Sequence, residues 1–252
     1  MLRMKSWIVV VLLSALFVSC NSKKADNTPE VTLKKPVEYN SADVGSISGT
    51  VKFNGPVPKP AQIDMAQDPA CGTQPAFDES LVVNNGDLAN VFVYVKTGLI
   101  YDVLVPPPPK PVVITQKGCR YEPHVAAAQV NQIVEIVNAD DTTHNIHPMP
   151  AASKQWNESQ LPKAEPIEKT FNKPEVMIPI KCNQHPWMRM YLNVVSNPFF
   201  AVSGSDGKFE IKGLPPGEYT LAAVHEKLGE QDVKITVGPK ESKTADFTFQ
   251  AH

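Results

Sequence analysis

Neither sign of charge prevails in this chain: 24 Lys and Arg stand against 26 Asp and Glu, a net charge of −2 over 252 residues. A face that neutralises a phosphate backbone is therefore not expected, and nucleic acid is excluded as a partner. Only one apolar run could enter a bilayer, Trp7 to Val18, interrupted by Ser14. It is too short to span ~30 Å of hydrocarbon. No stretch after residue 20 carries a helical apolar stripe. No Ser-His-Asp arrangement, phosphate-binding loop or paired-carboxylate spacing is found, so an enzyme is not expected. Disorder is excluded too, because 42% of the residues are hydrophobic.

Proline is plentiful. Its 24 copies are well above the roughly 5% of average usage. Proline removes ladder donors and breaks helices, so this density favours short strands and ordered loops. Strand signals run through the chain. Ile47, Val51 and Phe53 alternate within 46–53, and Val91, Val93 and Val95 alternate against Phe92 and Tyr94. Short apolar runs follow at 112–114, 133–137, 176–180 and 191–195. Later pairs are Phe209/Ile211, Tyr219/Leu221, Val233/Ile235 and Phe247/Phe249. Period-two runs bounded by Gly, Pro, Asn and Asp predict an all-β chain.

The first residues read as an address. Arg3 and Lys5 precede the apolar run, which ends Leu16-Phe17-Val18-Ser19-Cys20. A small residue followed by Cys resembles the bacterial lipobox, although Phe17 stands where Leu is usual. The resemblance implies a signal peptide over residues 1–19, lipidation of Cys20, and a protein anchored to a bacterial membrane, facing the periplasm or the cell surface. Asn21 departs from the Asp of the inner-membrane retention signal. Residues 20–43 are polar and aperiodic, a flexible tether.

Four cysteines are present, at 20, 71, 119 and 182. In an exported chain idle thiols tend to pair. With Cys20 lipidated, three remain, and Cys182 lies among His and Met residues that suit a metal. Cys71 and Cys119 are then a candidate disulfide, with two reduced, buried thiols as the alternative.

Two segments carry family resemblances. Asp206-Gly-Lys-Phe-Glu-Ile-Lys-Gly-Leu-Pro-Pro-Gly-Glu-Tyr-Thr-Leu221 resembles the carboxypeptidase regulatory-like, or transthyretin-like, β-sandwich. Gly49-Thr50-Val51 and residues 90–95 resemble that family's opening strands, but they precede the middle of the chain. The reading is a discontinuous sandwich, residues 44–101 and 197–250, with a second domain at 112–196 inserted. Two consecutive domains are the alternative. Pro106–Pro109 is a stiff connector at the first boundary.

The middle segment holds the chemistry. Asn138-Ala-Asp-Asp-Thr-Thr-His144-Asn145-Ile-His147 precedes Cys182-Asn-Gln-His185-Pro-Trp-Met188-Arg-Met190. One thiolate, two imidazoles and a thioether are the donors of a type 1 copper site. Cys-x2-His-x2-Met with an upstream His-Asn resembles the cupredoxins, and amicyanin in particular, over roughly 112–196. The resemblance implies a Greek-key β-sandwich with copper on His144, Cys182, His185 and Met188. It also implies that Asn145 ties the His loop to the Cys loop, and that His185 approaches solvent. His147 is an alternative first ligand, and Met190 an alternative axial one. Ile178 replaces the second Cys of a binuclear loop, and Lys181 and Asn183 replace the His that relays electrons in multicopper enzymes. A zinc site would prefer four strong ligands to a Met.

The function expected is a monomeric, lipid-anchored copper protein that passes single electrons between redox protein partners. The alternatives are copper delivery or buffering, and a non-metal binding or adhesion module. Trp187, with Pro148, Met149 and Pro186, either packs over the copper loop or forms an apolar docking patch. His124 is expected to pack or to lie at the surface, and His225-Glu226 to form an ordinary turn hydrogen bond.

Overall fold

The computed structural model describes residues 41–72, 74–99 and 105–251. Cys20, the signal peptide and most of the tether lie outside these. Among the described residues the one helical element is a 3-10 turn, Ser41–Asp43, and the rest of the regular structure is strand. No helix among them is long and apolar enough to cross a membrane.

The strands build two cores. Gly45–Asn54 is the hub of the first. It pairs antiparallel with Lys208–Leu214 and parallel with Ser242–Thr244 and then Phe247–Gln250. Asp87–Leu88 lies antiparallel on its other side. The facing sheet runs in the order Phe200–Val202, Phe92–Thr97, Gly217–His225, Gly229–Val237. Alternation explains the burial: Ile47, Val51 and Phe53 are buried while Ser48, Lys52 and Asn54 are exposed. Val51 and Val93 thereby share one hydrophobic cluster with Phe209, Tyr219, Leu221 and Phe247. Gly49 is required where the parallel partner changes strand. A Cβ there would meet the Ala245 carbonyl oxygen at 1.8 Å. The tight turn before Lys208 uses Gly207 at φ +69°, and Tyr219 donates its hydroxyl proton to the Pro215 carbonyl at 2.6 Å.

Among the described residues, the strands of 112–195 pair only with one another. One sheet has the order Ile167–Lys169, Val134–Asn138, Val112–Gln116, Tyr121–Glu122. The other has Glu158–Gln160, His144–Pro148, Glu175–Lys181, Arg189–Val195, Val125–Gln129. Between them lie Ile114, Tyr121, Ile136, Ile146, Ile178, Ile180 and Leu192. Val125–Gln129 shows no sequence alternation because both of its faces are covered. Ala126 and Ala128 face this core, while Val125 joins Phe92 and Val195 in a small cluster along the seam between the two sandwiches.

One segment crosses over. Residues 62–77 fall between strands of the first sandwich, yet Met65, Cys71 and Ala76 are buried in the second core. Gln62–Ile63 and Ala76–Phe77 pair to close this excursion. A disulfide joins Cys71 to Cys119, with Cα atoms 5.4 Å apart.

Candidate metal centre

Cys182 follows directly on the strand Glu175–Lys181, and Met188 precedes Arg189–Val195. The loop between them is closed by two backbone bonds. Cys182 N–H donates to the Met188 carbonyl at 3.2 Å and Met188 N–H to the His185 carbonyl at 2.9 Å. Register places the two thioethers differently. Lys181 pairs with Arg189 and Ile180 with Met190, so Met188 stands opposite Cys182. Met190 lies one pleat deeper, on the same core-facing side. Both methionines are fully buried.

His144 opens the strand His144–Pro148. Its Nδ1 lies 2.9 Å from Nδ1 of His185, and Nδ1 of His185 is 3.7 Å from Cys182 Sγ. The three donor atoms sit within 4.8 Å of one another, and the residues are 0%, 2% and 4% exposed for His144, Cys182 and His185. His147 is outside the cluster. An odd step along a strand reverses the face, and its Nδ1 is instead 3.2 Å from Asn183 Oδ1.

The far nitrogens of both imidazoles are spoken for. His144 Nε2 is 2.8 Å from Asp140 Oδ2 and His185 Nε2 is 3.0 Å from Asp68 Oδ2. A carboxylate accepts, so each Nε2 carries the proton and each Nδ1 directs a lone pair at the other. Two acceptors 2.9 Å apart repel unless a cation or a proton lies between them. With a thiol at the same spot, the donor set fits a borderline or soft metal ion and not an oxygen-seeking one. Burial lowers the pKa of His144, with Asp140 opposing, which favours the neutral, ligating imidazole. Asp68 is held below the usual carboxylate range by the Ala70 N–H first, then by His185 and Thr142.

Asn145 connects the two loops. Its Oδ1 accepts from Asn183 N–H at 2.7 Å, from Gln184 N–H at 3.3 Å and from the Cys182 thiol at 3.2 Å. Tyr121, its hydroxyl pKa raised by burial, donates to the Asn145 carbonyl at 2.6 Å. Trp187 donates Nε1–H to the Cys119 carbonyl at 3.1 Å, with its ring 5.2 Å from His185.

Sequence reasoning missed both carboxylates. Asp140 could have been found from its place four residues before His144. Asp68 left no signal, because it arrives from the other side of the fold. His185 was expected near solvent, and Asp68 covers it. His124, expected to pack or lie at the surface, pairs with Glu226 across the seam.

No family model matches this chain, and neither does any curated protein. Several solved structures resemble part of it. A copper-containing nitrite reductase from Thermus scotoductus SA-01 is 24% identical over 36% of this chain, at a TM-score of 0.33. The match spans only 23% of the reductase's own length. A purple cupredoxin from Nitrosopumilus maritimus is 22% identical over 33% of this chain and 98% of its own, at a TM-score of 0.29. A Cu(I) amicyanin variant is 20% identical over 33% of this chain and 80% of its own, at 0.29.

Proposed function

We propose that this chain holds one copper ion on His144, Cys182, His185 and Met188 and carries single electrons between redox protein partners. It would do so as a monomer, exported and tethered through a lipid on Cys20 to a bacterial membrane. The observation that carries the reading is the convergence of the two Nδ1 atoms and Cys182 Sγ in one buried spot. Bound there, copper would supply a Cu(I)/Cu(II) couple.

The chain's own residues supply the rest. The Cys182 thiolate would be the soft donor, the imidazoles would suit either oxidation state, and Met188 would be the weak thioether donor. Asp140 and Asp68 fix the tautomer and the plane of each imidazole. Asn145 ties the loop of Cys182 to the strand of His144, so the donors need not rearrange when the charge changes. Burial keeps water and substrates off the donor atoms, which supports a carrier and not an enzyme. The outer sandwich, residues 44–101 and 197–250, is the scaffold in this reading.

A second reading, copper delivery or buffering, draws on Met190, fully buried one pleat behind Met188. The locked imidazoles weigh against a labile site. The test is the visible spectrum of the Cu(II)-loaded protein. An intense band in the red that Cys182→Ala abolishes is the expected result. Weak colour would point to copper handling, and no metal uptake at all to a non-metal module.

A further inference from the structure

We propose that Asp68 is a positioning residue for His185, and that the Cys71–Cys119 disulfide latches the segment carrying it over the imidazole. The inference rests on the metal-centre reading above but concerns a contact that exists without metal. Asp68 and His185 are 117 residues apart in sequence. The carboxylate is aimed by three donors. Oδ2 accepts from His185 Nε2 at 3.0 Å and from the Thr142 hydroxyl at 2.9 Å, and Oδ1 accepts from Ala70 N–H at 2.9 Å. Thr142 belongs to the loop that leads into His144, so the carboxylate spans both histidine loops.

The latch follows from what lies on either side of the disulfide. Cys71 N–H donates to the Asp68 carbonyl at 3.0 Å. Only Pro69 and Ala70 separate the disulfide-bonded Cys71 from Asp68, and that backbone bond closes the turn between them. Across the disulfide, the N–H groups of Gly118 and Cys119 hold Asp140 at 2.7 and 2.8 Å, and Asp140 holds His144. The Cys119 carbonyl takes the Trp187 N–H. One sulfur–sulfur bond therefore joins the supports of both imidazoles. Without it, Asp68 would depend on its bonds to Thr142 and His185, on a pair of two-residue strands, Gln62–Ile63 and Ala76–Phe77, and on the side chains of Met65 and Ala76. Strands so short are weakly held.

Both cysteines are buried, so a dithiol opens this latch only when the segment 62–77 opens locally. The dithiol's thiolate attacks one sulfur of the pair, a mixed disulfide forms, and its second thiol displaces it. Cys71 and Cys119 leave as two thiols, and the dithiol becomes a disulfide. The edge of His185 is then free to meet solvent or a partner.

The test uses the full-length, metal-free protein treated with diethyl pyrocarbonate, with mass spectrometry following carbethoxylation at each histidine. The half-exposed His147 serves as the internal control. In the wild type, His185 should be protected. Asp68→Ala, the Cys71→Ser/Cys119→Ser double variant, and wild type reduced with dithiothreitol should each modify at His185 at least tenfold faster. Asp68→Asn keeps an acceptor oxygen, so protection should be largely retained, a rescue that a general loosening of the fold would not give. Equal His185 rates in wild type and Asp68→Ala overturn the assignment of Asp68. Unchanged protection in the double variant and after reduction overturns the latch. A second readout separates this inference from the copper reading. If the loaded protein is blue but His185 protection ignores Asp68, only the inference fails. If no copper is taken up while the protection pattern holds, the copper reading fails and the positioning role stands.

Discussion

His225 should make the protein lose stability in mild acid. It ends the strand Gly217–His225 at 2% exposure. Its Nδ1 accepts the Lys227 N–H at 3.2 Å, and its Nε2 has no hydrogen-bond partner among the described residues. Burial, and then the charges of His124 and Lys227, lower its pKa from 6.5 to about 4. The folded protein thus refuses a proton that the unfolded chain accepts at any pH between these values. The unfolded state gains as pH falls below about 6.5, and the loss levels off below about 4. At 1.36 kcal/mol per unit the full penalty is about 3 kcal/mol, of which about 2 kcal/mol is reached by pH 5. Urea unfolding of the metal-free protein at pH 7.5 and 5.0, followed by circular dichroism, measures it. His225→Leu should lose about 2 kcal/mol less than wild type over that interval. Titrations elsewhere, including those of the metal-site histidines, cancel in the comparison. If both proteins lose the same amount, His225 is not held neutral by its surroundings and the reasoning is wrong.

Asn145→Ala removes an acceptor from two loop N–H groups and the Cys182 thiol. Because Asn183 and Gln184 are exposed and water can reach their amides, the cost should be about 1–2 kcal/mol in urea midpoint measurements. A visible band of unchanged position and width in the copper-loaded variant would refute the tie between the loops. Met188→Leu should keep the blue colour and raise the reduction potential measured by voltammetry, while Met190→Leu should leave the potential in place. The reverse pattern would make Met190 the axial thioether.

The parts of the fold legible in the sequence are those where one face of a strand is wet. In 46–53 and 206–221 polar and apolar residues alternate because solvent lies on one side, and the structure has strands there. Val125–Gln129 was silent for the opposite reason: with both faces covered and alanine at its centre, it shows neither alternation nor a β-branched run. The two-residue strands of 62–77 are set by the disulfide and by contact with the second core, which no local pattern encodes. The same division holds at the metal centre. Cys182, His185 and Met188 are close in sequence because one loop presents them, and the motif shows it. Asp68 meets His185 only after the sandwiches have packed, and its own surroundings, Gln67-Asp68-Pro69-Ala70, read as an ordinary turn. The cover over His185 was hidden with it.

The pairing of Phe92–Thr97 with Phe200–Val202 sets an order of assembly. Its partners are separated by roughly 110 residues, and closing a flexible loop of that length is costly. The intervening strands need nothing from either flank to complete their ladders. Once they are in place, Val112 N–H bonds the Ile133 carbonyl and Val130 N–H bonds the Val195 carbonyl, both at 2.9 Å. The two ends then leave from neighbouring points, joined through the turn at 130–133. The slack left to close shrinks to roughly 20 residues, which lowers the entropic cost by about 1.5 kcal/mol. Residues 112–195 can thus act as a folding template for the other sandwich. Gly45–Asn54 and Phe92–Thr97 wait without their distant partners, open to wrong ones, until residues 200–250 have been made and can close the sheets over them.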